Sequence, residues 1–291
     1  MSDAIFAIDK PVGVTSHDVV AKMRRLLGQR KVGHAGTLDP FAEGVLIVLA
    51  GDMTKLAPYL DHQRKRYRAT LALGTQMDTG DCEGDTIATA PVLPFDAAQL
   101  RQIEGVFTGT ITLRVPRYSA VKIGGKKGYE LARQGVTCEM PLRENTIHAI
   151  SLEILNEHTL CLDVTVSGGT YVRALGEAVA AALGTVGHLT TLARLECCGV
   201  CREECHTLET LTRDGASTIS LSRLLGGYPA FQATPSQAEW LRNGQIPRDE
   251  PLAVAPDQDG FVVVYNETGA LISIIDWGAQ KIARNFSGVV R

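Results

Sequence analysis

Residues 147–184 read IHAISLEILNEHTLCLDVTVSGGTYVRALGEAVAAALG and change from one hydrophobic periodicity to another. Apolar side chains alternate over residues 147–155 and 160–167, which predicts two paired strands. Residues 173–183 are rich in alanine, and Gly184 follows where a helix commonly ends, so we expect a helix there. A strand pair followed by a helix is typical of an α+β fold with a mixed sheet, and not of a regular doubly wound fold.

The chain before and after this stretch continues the irregular order of strands and helices. Thr15 and Ser16 stand at a helix N-cap, apolar residues recur at helical spacing over residues 19–27, and Gly28 takes the C-terminal cap position. Residues 29–43 are polar and rich in glycine, so we expect a loop. The other predicted elements are strands at 5–8, 44–49, 67–73 and 108–113 and helices at 53–60, 97–107 and 207–211.

The composition excludes several classes of protein. The chain has 291 residues and a net charge of −3, so it lacks the overall basicity of proteins that hold nucleic acids by bulk charge. Seven cysteines are an odd number in a chain this long, which favours reduced thiols in a cytosol over a disulfide framework. The sequence has no signal peptide, membrane span, P-loop or nucleophile elbow, so we expect a soluble cytoplasmic protein.

A change in sequence character near residue 228 predicts a second, smaller domain. Gly226, Gly227 and Pro229 form a turn-rich link, and strand-like runs follow at 262–265 and 271–276. We therefore expect one domain at residues 1–227 and a small β domain at residues 228–291.

The string GHAGTLDPFAEG at residues 33–44 places one carboxylate, Asp39, directly before a proline. The residue before a proline is restricted to extended geometry, so Asp39 has a fixed direction within a loop of small residues. Capping of a turn is the ordinary role of such an Asp-Pro pair. A catalytic role becomes the stronger interpretation only beside other functional strings.

Two further strings combine cations with aromatic rings. Arg64-Lys65-Arg66-Tyr67-Arg68 puts four cations around one tyrosine, which is typical of a site that holds a phosphate backbone and stacks a base, or of a solvated edge strand. In Gly168-Gly169-Thr170-Tyr171-Val172-Arg173, an extended chain would put Tyr171 and Arg173 on one face. Residues 114–133 carry six cations and one acid, which predicts a basic RNA-binding arm at about 114–135 or a mobile solvated loop.

In their order and spacing, these strings resemble the TruB family of tRNA pseudouridine synthases over about residues 5–215. The matching strings are Asp9-Lys10-Pro11 with Gly13, Thr15 and Ser16, Gly33-His34 through Asp39-Pro40, Lys65-Arg66-Tyr67-Arg68, Leu73-Gly74, Asp78-Thr79 with Asp81, Tyr118 to Lys122, Tyr129 to Gly135, Gly169 to Arg173 and Leu189 to Leu195. The C-terminal segment resembles the small PUA-like domain of bacterial members.

This resemblance implies a catalytic domain with a mixed, mainly antiparallel sheet. It also implies a reaction, the isomerisation with base flipping of the uridine at tRNA position 55, in the T loop, to pseudouridine. By the resemblance, Asp39 is the catalytic aspartate, Tyr67 stacks on the flipped base and Arg173 pairs with Asp39. The remaining residues that the resemblance implies are His34, Tyr171 and Leu192 as pocket lining and Lys65, Asp81 and Arg133 as substrate-binding residues.

The chemistry of this reaction suits these residue types. A C–N glycosidic bond breaks and a C–C bond forms without net redox change or hydrolysis, so no metal or other cofactor is expected. Asp39 must be ionised, and a paired arginine keeps a carboxylate ionised where water is excluded, so Arg173→Lys is not a conservative change. Whether Asp39 attacks the sugar or the base stays open, and Tyr67, a weak base, fits stacking better than proton transfer.

Two alternatives to a stand-alone synthase remain open. A non-catalytic tRNA-folding protein would need the basic arm and the aromatic residues but not Asp39. A guide-RNA-dependent relative would act on other RNAs and is disfavoured because the chain has no long basic tail. We therefore expect a monomer that binds the tRNA T stem-loop without a guide RNA.

The string CCGVCREECH at residues 197–206 contains the ligand types of a metal site. It is one compact group without a distant second pair of ligands, so buried free thiols are the favoured interpretation.

Overall fold

The computed structural model describes residues 3–136, 138–211, 219–246 and 260–286. In chain order the strands are β1 Ala4–Lys10, β2 Val32–Ala35, β3 Glu43–Ala50, β4 Lys65–Leu73, β5 Thr75–Met77, β6 Thr86–Thr89, β7 Gly109–Arg114, β8 Lys122–Ile123, β9 Lys126–Lys127, β10 Leu142–Asn156, β11 Thr159–Val166, β12 Gly187–Cys197, β13 Val200–Cys201, β14 His206–Thr207, β15 Ala230–Gln232, β16 Phe261–Tyr265, β17 Leu271–Asp276 and β18 Lys281–Asn285. The helices are α1 Ser16–Leu27, α2 Ala57–Asp61, α3 Ala97–Phe107, α4 Gly128–Arg133, α5 Val172–Ala182, α6 Leu221–Leu224 and α7 Pro235–Arg242, with 3₁₀ turns at Gly51–Leu56 and Arg202–Glu204.

One large sheet organises the molecule. Its strand order is β14-β1-β3-β12-β4-β11-β10-β7, with β2 added to β3 and β13 added to β12. The pairs β1/β14 and β3/β12 are parallel, whereas the other neighbouring pairs are antiparallel. The predicted α+β fold with a mixed, mainly antiparallel sheet is therefore confirmed.

Three helices cover one face of the large sheet. In α1, Thr15 and Asp18 form a reciprocal capping box, and Gly28 ends the helix at φ 61°, as the sequence predicts. The helices α1, α3 and α5 bury apolar side chains, among them Met23 and Leu175, in a common cluster with Leu71 of β4 and Leu162 of β11. This packing fixes the first residues of α1 and α5 at the same edge of the core.

A second, four-stranded sheet with the order β15-β16-β17-β18 follows in the C-terminal part. Val263 and Ile274 pack with Ile47 of the large sheet, whereas Val264 and Ile275 pack with Leu241 of α7. The alternation of buried residues along β16 and β17 thus places this sheet between the large sheet and α7. Within the described residues, no helix combines the length and apolar character needed to cross a lipid bilayer.

Two local predictions are wrong. The loop predicted at residues 29–43 contains β2, whose four residues show no strand periodicity and are ordered by pairing with β3. The predicted helix at 207–211 is a turn, because the Thr207 hydroxyl accepts a hydrogen bond from the Thr210 amide at 3.2 Å. Arg173 lies in α5, as the helix predicted at residues 173–183 requires, so the condition under which Tyr171 and Arg173 would share one face of an extended chain is not met.

Gly44 allows the close parallel approach of β3 to β12. It has φ 102°, it pairs with Arg194, and a Cβ atom there would overlap the Arg194 carbonyl oxygen. Gly44→Ala is expected to lower the free energy of unfolding by more than about 3 kcal/mol in urea denaturation. Gly105→Ala is the matched control, because Gly105 is exposed within α3 with open space around it. This variant should have a free energy of unfolding about 1 kcal/mol higher than the wild type. Equal effects at the two positions would contradict this account.

Candidate active site

A cavity of about 1130 Å³ opens where α5, β4, β12 and the basic arm of residues 114–135 meet. Of the nine residues that the sequence predicts for the site, the eight that line this cavity are Asp39, Lys65, Tyr67, Asp81, Arg133, Tyr171, Leu192 and Arg173. His34, the ninth, lies on β2 opposite Val48 and is not among the described residues that line the cavity. Burial lowers the pKa of His34, which favours a neutral ring.

The start of α1 holds the loop that carries Asp39. The Ser16 hydroxyl donates to the Leu38 carbonyl at 2.9 Å and accepts from the Leu38 amide at 2.9 Å. The Gly13 amide donates to the Pro40 carbonyl at 2.8 Å. Ser16 and Gly13 thus hold Leu38 and Pro40, the residues on either side of Asp39. This gives a physical reason why the string that contains Gly13 and Ser16 occurs together with the Asp39 string.

Arg173 and Asp39 form a buried ion pair at the cavity wall. Arg173 Nε lies 2.9 Å from Asp39 Oδ2, and the Arg173 side chain is 4% exposed whereas that of Asp39 is 34% exposed. Asp81 Oδ2 lies 3.4 Å from Arg173 Nη1, so two carboxylates share one guanidinium. Asp39 is the more exposed of these two carboxylates, at 34% against 6% for the Asp81 side chain.

The charge state of Asp39 results from opposing effects. Burial raises the pKa of Asp39 above its usual value, the Arg173 guanidinium lowers it, and the Asp81 carboxylate raises it. The effect of burial on the Asp39 pKa is larger than that of Arg173, so the argument that Arg173 keeps Asp39 ionised accounts for only one of the two opposing effects. Lys10 also faces this group, and burial lowers the pKa of its ammonium to about 8.

Lys10 lies close enough to Asp39 to interact with its charge, although the sequence analysis named it only as part of a matching string and gave it no role. Its side chain is fully buried, and Nζ donates to the carbonyls of Pro11 at 2.9 Å and Val14 at 2.6 Å. A lysine inside the apolar strand β1 is the signal that could have identified it, because buried lysines are rare unless partnered.

Tyr67 lies on β4 with its side chain directed at the cavity and only 6% of the residue exposed. Arg194, which is fully buried, donates from Nη1 to the Tyr67 hydroxyl at 3.4 Å, and its guanidinium carbon lies 6.0 Å from the ring centroid. Burial raises the pKa of Tyr67, an effect that Arg194 opposes, so the hydroxyl stays protonated at neutral pH. This environment suits a stacking platform better than a proton acceptor.

Arg194 is the main residue that the sequence did not reveal as part of the site. Its Nε donates to the Val45 carbonyl at 2.6 Å and its Nη2 to the Gly36 carbonyl at 2.9 Å. It therefore joins β12 to both ends of the loop that carries Asp39. Leu192 and Arg194 are two residues apart on β12, so they face the same side, and both line the cavity. A cation at the same face of the strand as Leu192 is the sequence signal that could have identified Arg194.

The basic string at residues 64–68 divides between two faces of the sheet. Lys65 and Tyr67 point inward, and Lys65 Nζ donates to the Asp61 carbonyl at 2.8 Å. Arg66 and Arg68 point outward and both form ion pairs with Asp163, at 2.8 Å and 3.0 Å. The expectation that four cations surround Tyr67 is therefore wrong, because neighbouring residues of a strand face opposite sides.

Two further predicted residues border the cavity from its mouth. Arg133 is exposed on α4, and its guanidinium carbon lies 5.7 Å from the ring centroid of Tyr129. Tyr171 is the N-cap residue of α5 and is half-buried. Arg143 joins them among the lining residues, so the mouth carries cations beside aromatic rings.

The cysteine-rich string is folded without a cluster of metal ligands. Cys197 and Cys198 are buried with Sγ atoms 3.6 Å apart, and Cys201 and Cys205 are half-buried free thiols. Among the described residues, no group of three or more histidine, cysteine or acidic side chains is arranged to hold a metal ion.

Known proteins with similar sequences belong to the family that the sequence strings indicate. A family profile described as "TruB family pseudouridylate synthase (N terminal domain)" matches residues 24–172. A protein of Geobacillus kaustophilus named tRNA pseudouridine synthase B is 40% identical over 84% of this chain and 91% of its own length. A protein of the same name from Mycobacterium sp. (strain KMS) is 37% identical over 95% of this chain and 93% of its own.

Solved structures support the fold. The crystal structure of a Cbf5-Nop10-Gar1 complex contains a chain that superposes with a TM-score of 0.73, at 22% identity, over 99% of this chain and 82% of that one. By the names of the relatives that it matches over most of its length, the chain is a pseudouridine synthase. The chain belongs to the TruB family of pseudouridylate synthases, as its sequence identity over nearly its full length shows.

Proposed function

We propose that this enzyme isomerises the uridine at position 55 in the T loop of tRNA to pseudouridine, without a cofactor, after flipping the base into the cavity. The observation that carries the proposal is the ion pair of Arg173 and Asp39 in the cavity wall, in which Arg173 is buried and the Asp39 side chain is 34% exposed. The name of the relatives, tRNA pseudouridine synthase B, supports tRNA as the substrate.

In the proposed mechanism, Asp39 acts as a carboxylate on the flipped nucleotide. A negatively charged oxygen here can attack or stabilise an electron-poor carbon of the sugar or of the pyrimidine ring. The geometry of Arg173 supports this role, because its buried guanidinium lies 2.9 Å from Asp39 and is also bound to two backbone carbonyls. After the base reattaches through C5, a base or a relayed water removes the C5 proton.

Tyr67 and Leu192 are proposed to hold the flipped uracil. Both side chains are almost fully buried, and both line the cavity beside Asp39. Flipping costs stacking energy within the RNA, and contact with an aromatic ring restores part of it. Lys65, Asp81 and Tyr171 would complete the pocket, and Arg133 at the mouth would contact the RNA backbone. His34 is not among the described residues that line the cavity, so its predicted role in substrate binding stays a proposal without support from this geometry.

The proposal extends to how the protein works as a whole. We propose a monomer that acts in the cytoplasm, where tRNA is modified, and that needs no guide RNA. We further propose that residues 1–227 form the catalytic domain and residues 228–291 a small PUA-like domain, with the sheet β15 to β18 as its core.

The test is release of tritium from C5 of uridine in an unmodified tRNA transcript. We expect stoichiometric release from position 55 by the purified protein alone. A transcript with cytidine at position 55 should bind with unchanged affinity and release no label from the T loop. Release that persists with this control transcript, or that requires an added RNA, would refute the proposed substrate.

A further inference from the structure

Four acceptors from three separate segments surround the Arg173 guanidinium. Asp39 Oδ2 and Asp81 Oδ2 are two of them, at 2.9 Å from Nε and 3.4 Å from Nη1. Nη1 also donates to the Thr79 carbonyl, and Nη2 donates to the Tyr118 carbonyl at 2.9 Å. The two backbone carbonyls and the Asp81 carboxylate restrict the orientation of the planar guanidinium, so they help to keep Nε beside Asp39.

Residues 78–85, which supply Thr79 and Asp81, are held by contacts that do not involve the basic arm. The Asp78 amide donates to the Asp85 carbonyl at 3.0 Å, and the Asp85 amide donates to Asp78 Oδ1 at 2.9 Å. The Leu189 amide of β12 donates to the Gly80 carbonyl at 3.1 Å. This side of Arg173 is therefore fixed to the large sheet.

The fourth acceptor, in contrast, belongs to the basic arm. Tyr118 precedes the hairpin of β8 and β9 and helix α4, the part of the arm that carries most of its cations. Its hydroxyl donates to Asp78 Oδ2 at 2.8 Å, while its carbonyl accepts from Arg173. Asp78 thus uses one oxygen to close its own loop and the other to hold the arm.

We propose that Tyr118 is a positioning residue, which couples the seating of the basic arm to the assembly of the Arg173 and Asp39 pair through its hydrogen bond to Asp78. With the arm seated, the Tyr118 carbonyl completes the set of acceptors and Arg173 faces Asp39. With the arm displaced, Nη2 has no acceptor from the arm and the guanidinium can turn away from Asp39. This inference rests on the proposed catalytic role of Asp39.

The charged groups around Asp39 determine the expected change in pH dependence. Asp39 faces Arg173 of α5, Asp81 and Glu83 of the adjoining loop, and Lys10 of β1. Arg173 is the first of the cations that oppose the effect of burial on the Asp39 pKa. A less well-aimed guanidinium would raise the Asp39 pKa further, so the acidic limb of the rate profile would move to higher pH.

Tyr118→Phe tests the inference, because it keeps the ring and the backbone carbonyl and removes only the hydroxyl. At saturating enzyme, the single-turnover rate constant is expected to fall about tenfold to hundredfold, the worth of one charge-assisted hydrogen bond. The dissociation constant for the tRNA transcript should change less than about twofold, and the acidic limb should move to higher pH. Tyr265→Phe, the same change in the C-terminal sheet, should leave all three quantities as in the wild type.

A second variant separates positioning from structure. Asp78→Asn keeps an acceptor for the Asp85 amide but weakens the bond from Tyr118, so a smaller loss of rate is expected. Added to Tyr118→Phe, it should cost less than about twofold more, since both changes act on one hydrogen bond. The inference is overturned if Tyr118→Phe weakens tRNA binding with the rate restored at saturating enzyme, or if nothing changes. An active Asp39→Asn protein would instead refute the proposed function itself.

Discussion

Asp39→Asn is expected to reduce pseudouridine formation by at least about 10⁴-fold while the affinity for tRNA stays within about threefold. Asparagine has nearly the same shape as aspartate, and its amide oxygen can still accept from Arg173 Nε, which lies 2.9 Å from Asp39. It lacks the negative charge that the proposed mechanism requires at the reacting carbon. Tritium release measures the reaction, and filter binding measures the affinity.

Asp163→Asn is the matched control for this experiment. Asp163 of β11 also pairs with arginines, namely Arg66 and Arg68 of β4. These three side chains lie on the face of the sheet that is opposite to the cavity. Asp163→Asn should retain wild-type turnover, because Asp163 is not among the described residues that line the cavity. The protein should also stay folded, because a partly exposed ion pair contributes little to stability. If the wild-type protein binds tRNA and releases no label at all, the tRNA-folding alternative takes the place of the synthase. Turnover by Asp39→Asn would assign the chemistry to another group.

Arg173→Met is expected to lower the free energy of unfolding by about 3–5 kcal/mol at pH 8, in addition to abolishing catalysis. The Arg173 side chain is 4% exposed, and its removal leaves Asp39 and Asp81 together in the cavity wall. Burial already raises the pKa of Asp39, and without Arg173 its folded-state pKa would lie further above its unfolded value. Such a group destabilises the protein only where it must ionise, so the deficit should grow as pH rises from about 4 and shrink as it falls.

Urea denaturation at pH 5 and pH 8 tests this prediction. Arg66→Met is the matched control, because Arg66 also pairs with an aspartate but its side chain is 47% exposed. It should cost less than about 1 kcal/mol at either pH. A deficit for Arg173→Met that is the same at both pH values would show that lost packing, and not unpaired charge, causes the loss.

The sequence predicts best those elements whose signals are local. Thr15 and Gly28 mark the ends of α1, and the apolar spacing of residues 97–107 matches the bounds of α3, because capping and periodicity act within one element. Strand β2 lacks such a signal. Its four residues are ordered only by β3, which is itself a buried strand. Short strands that depend on a partner for their order are therefore missed.

The site shows the same division. Asp39 and Arg173 are identifiable from their strings, and the resemblance to the TruB family gives their partnership. Lys10 and Arg194 are different, because their function depends on burial among carbonyl oxygens that lie far away in sequence. Charged residues are ordinarily expected at the surface, so only the packed structure identifies these two as part of the core. The outward position of Arg66 likewise follows from the register of β4.

The bonds of Arg194 also bear on how the protein is made. They join it to Val45 and Gly36 across 149 and 158 residues of sequence. Contacts of such long range make folding slow, and chains emerge from the ribosome amino end first. The loop with Asp39 is thus translated long before β12, the strand that braces it. If Asp39 has the proposed catalytic role, we expect a nascent chain that ends before β12 to be inactive on RNA.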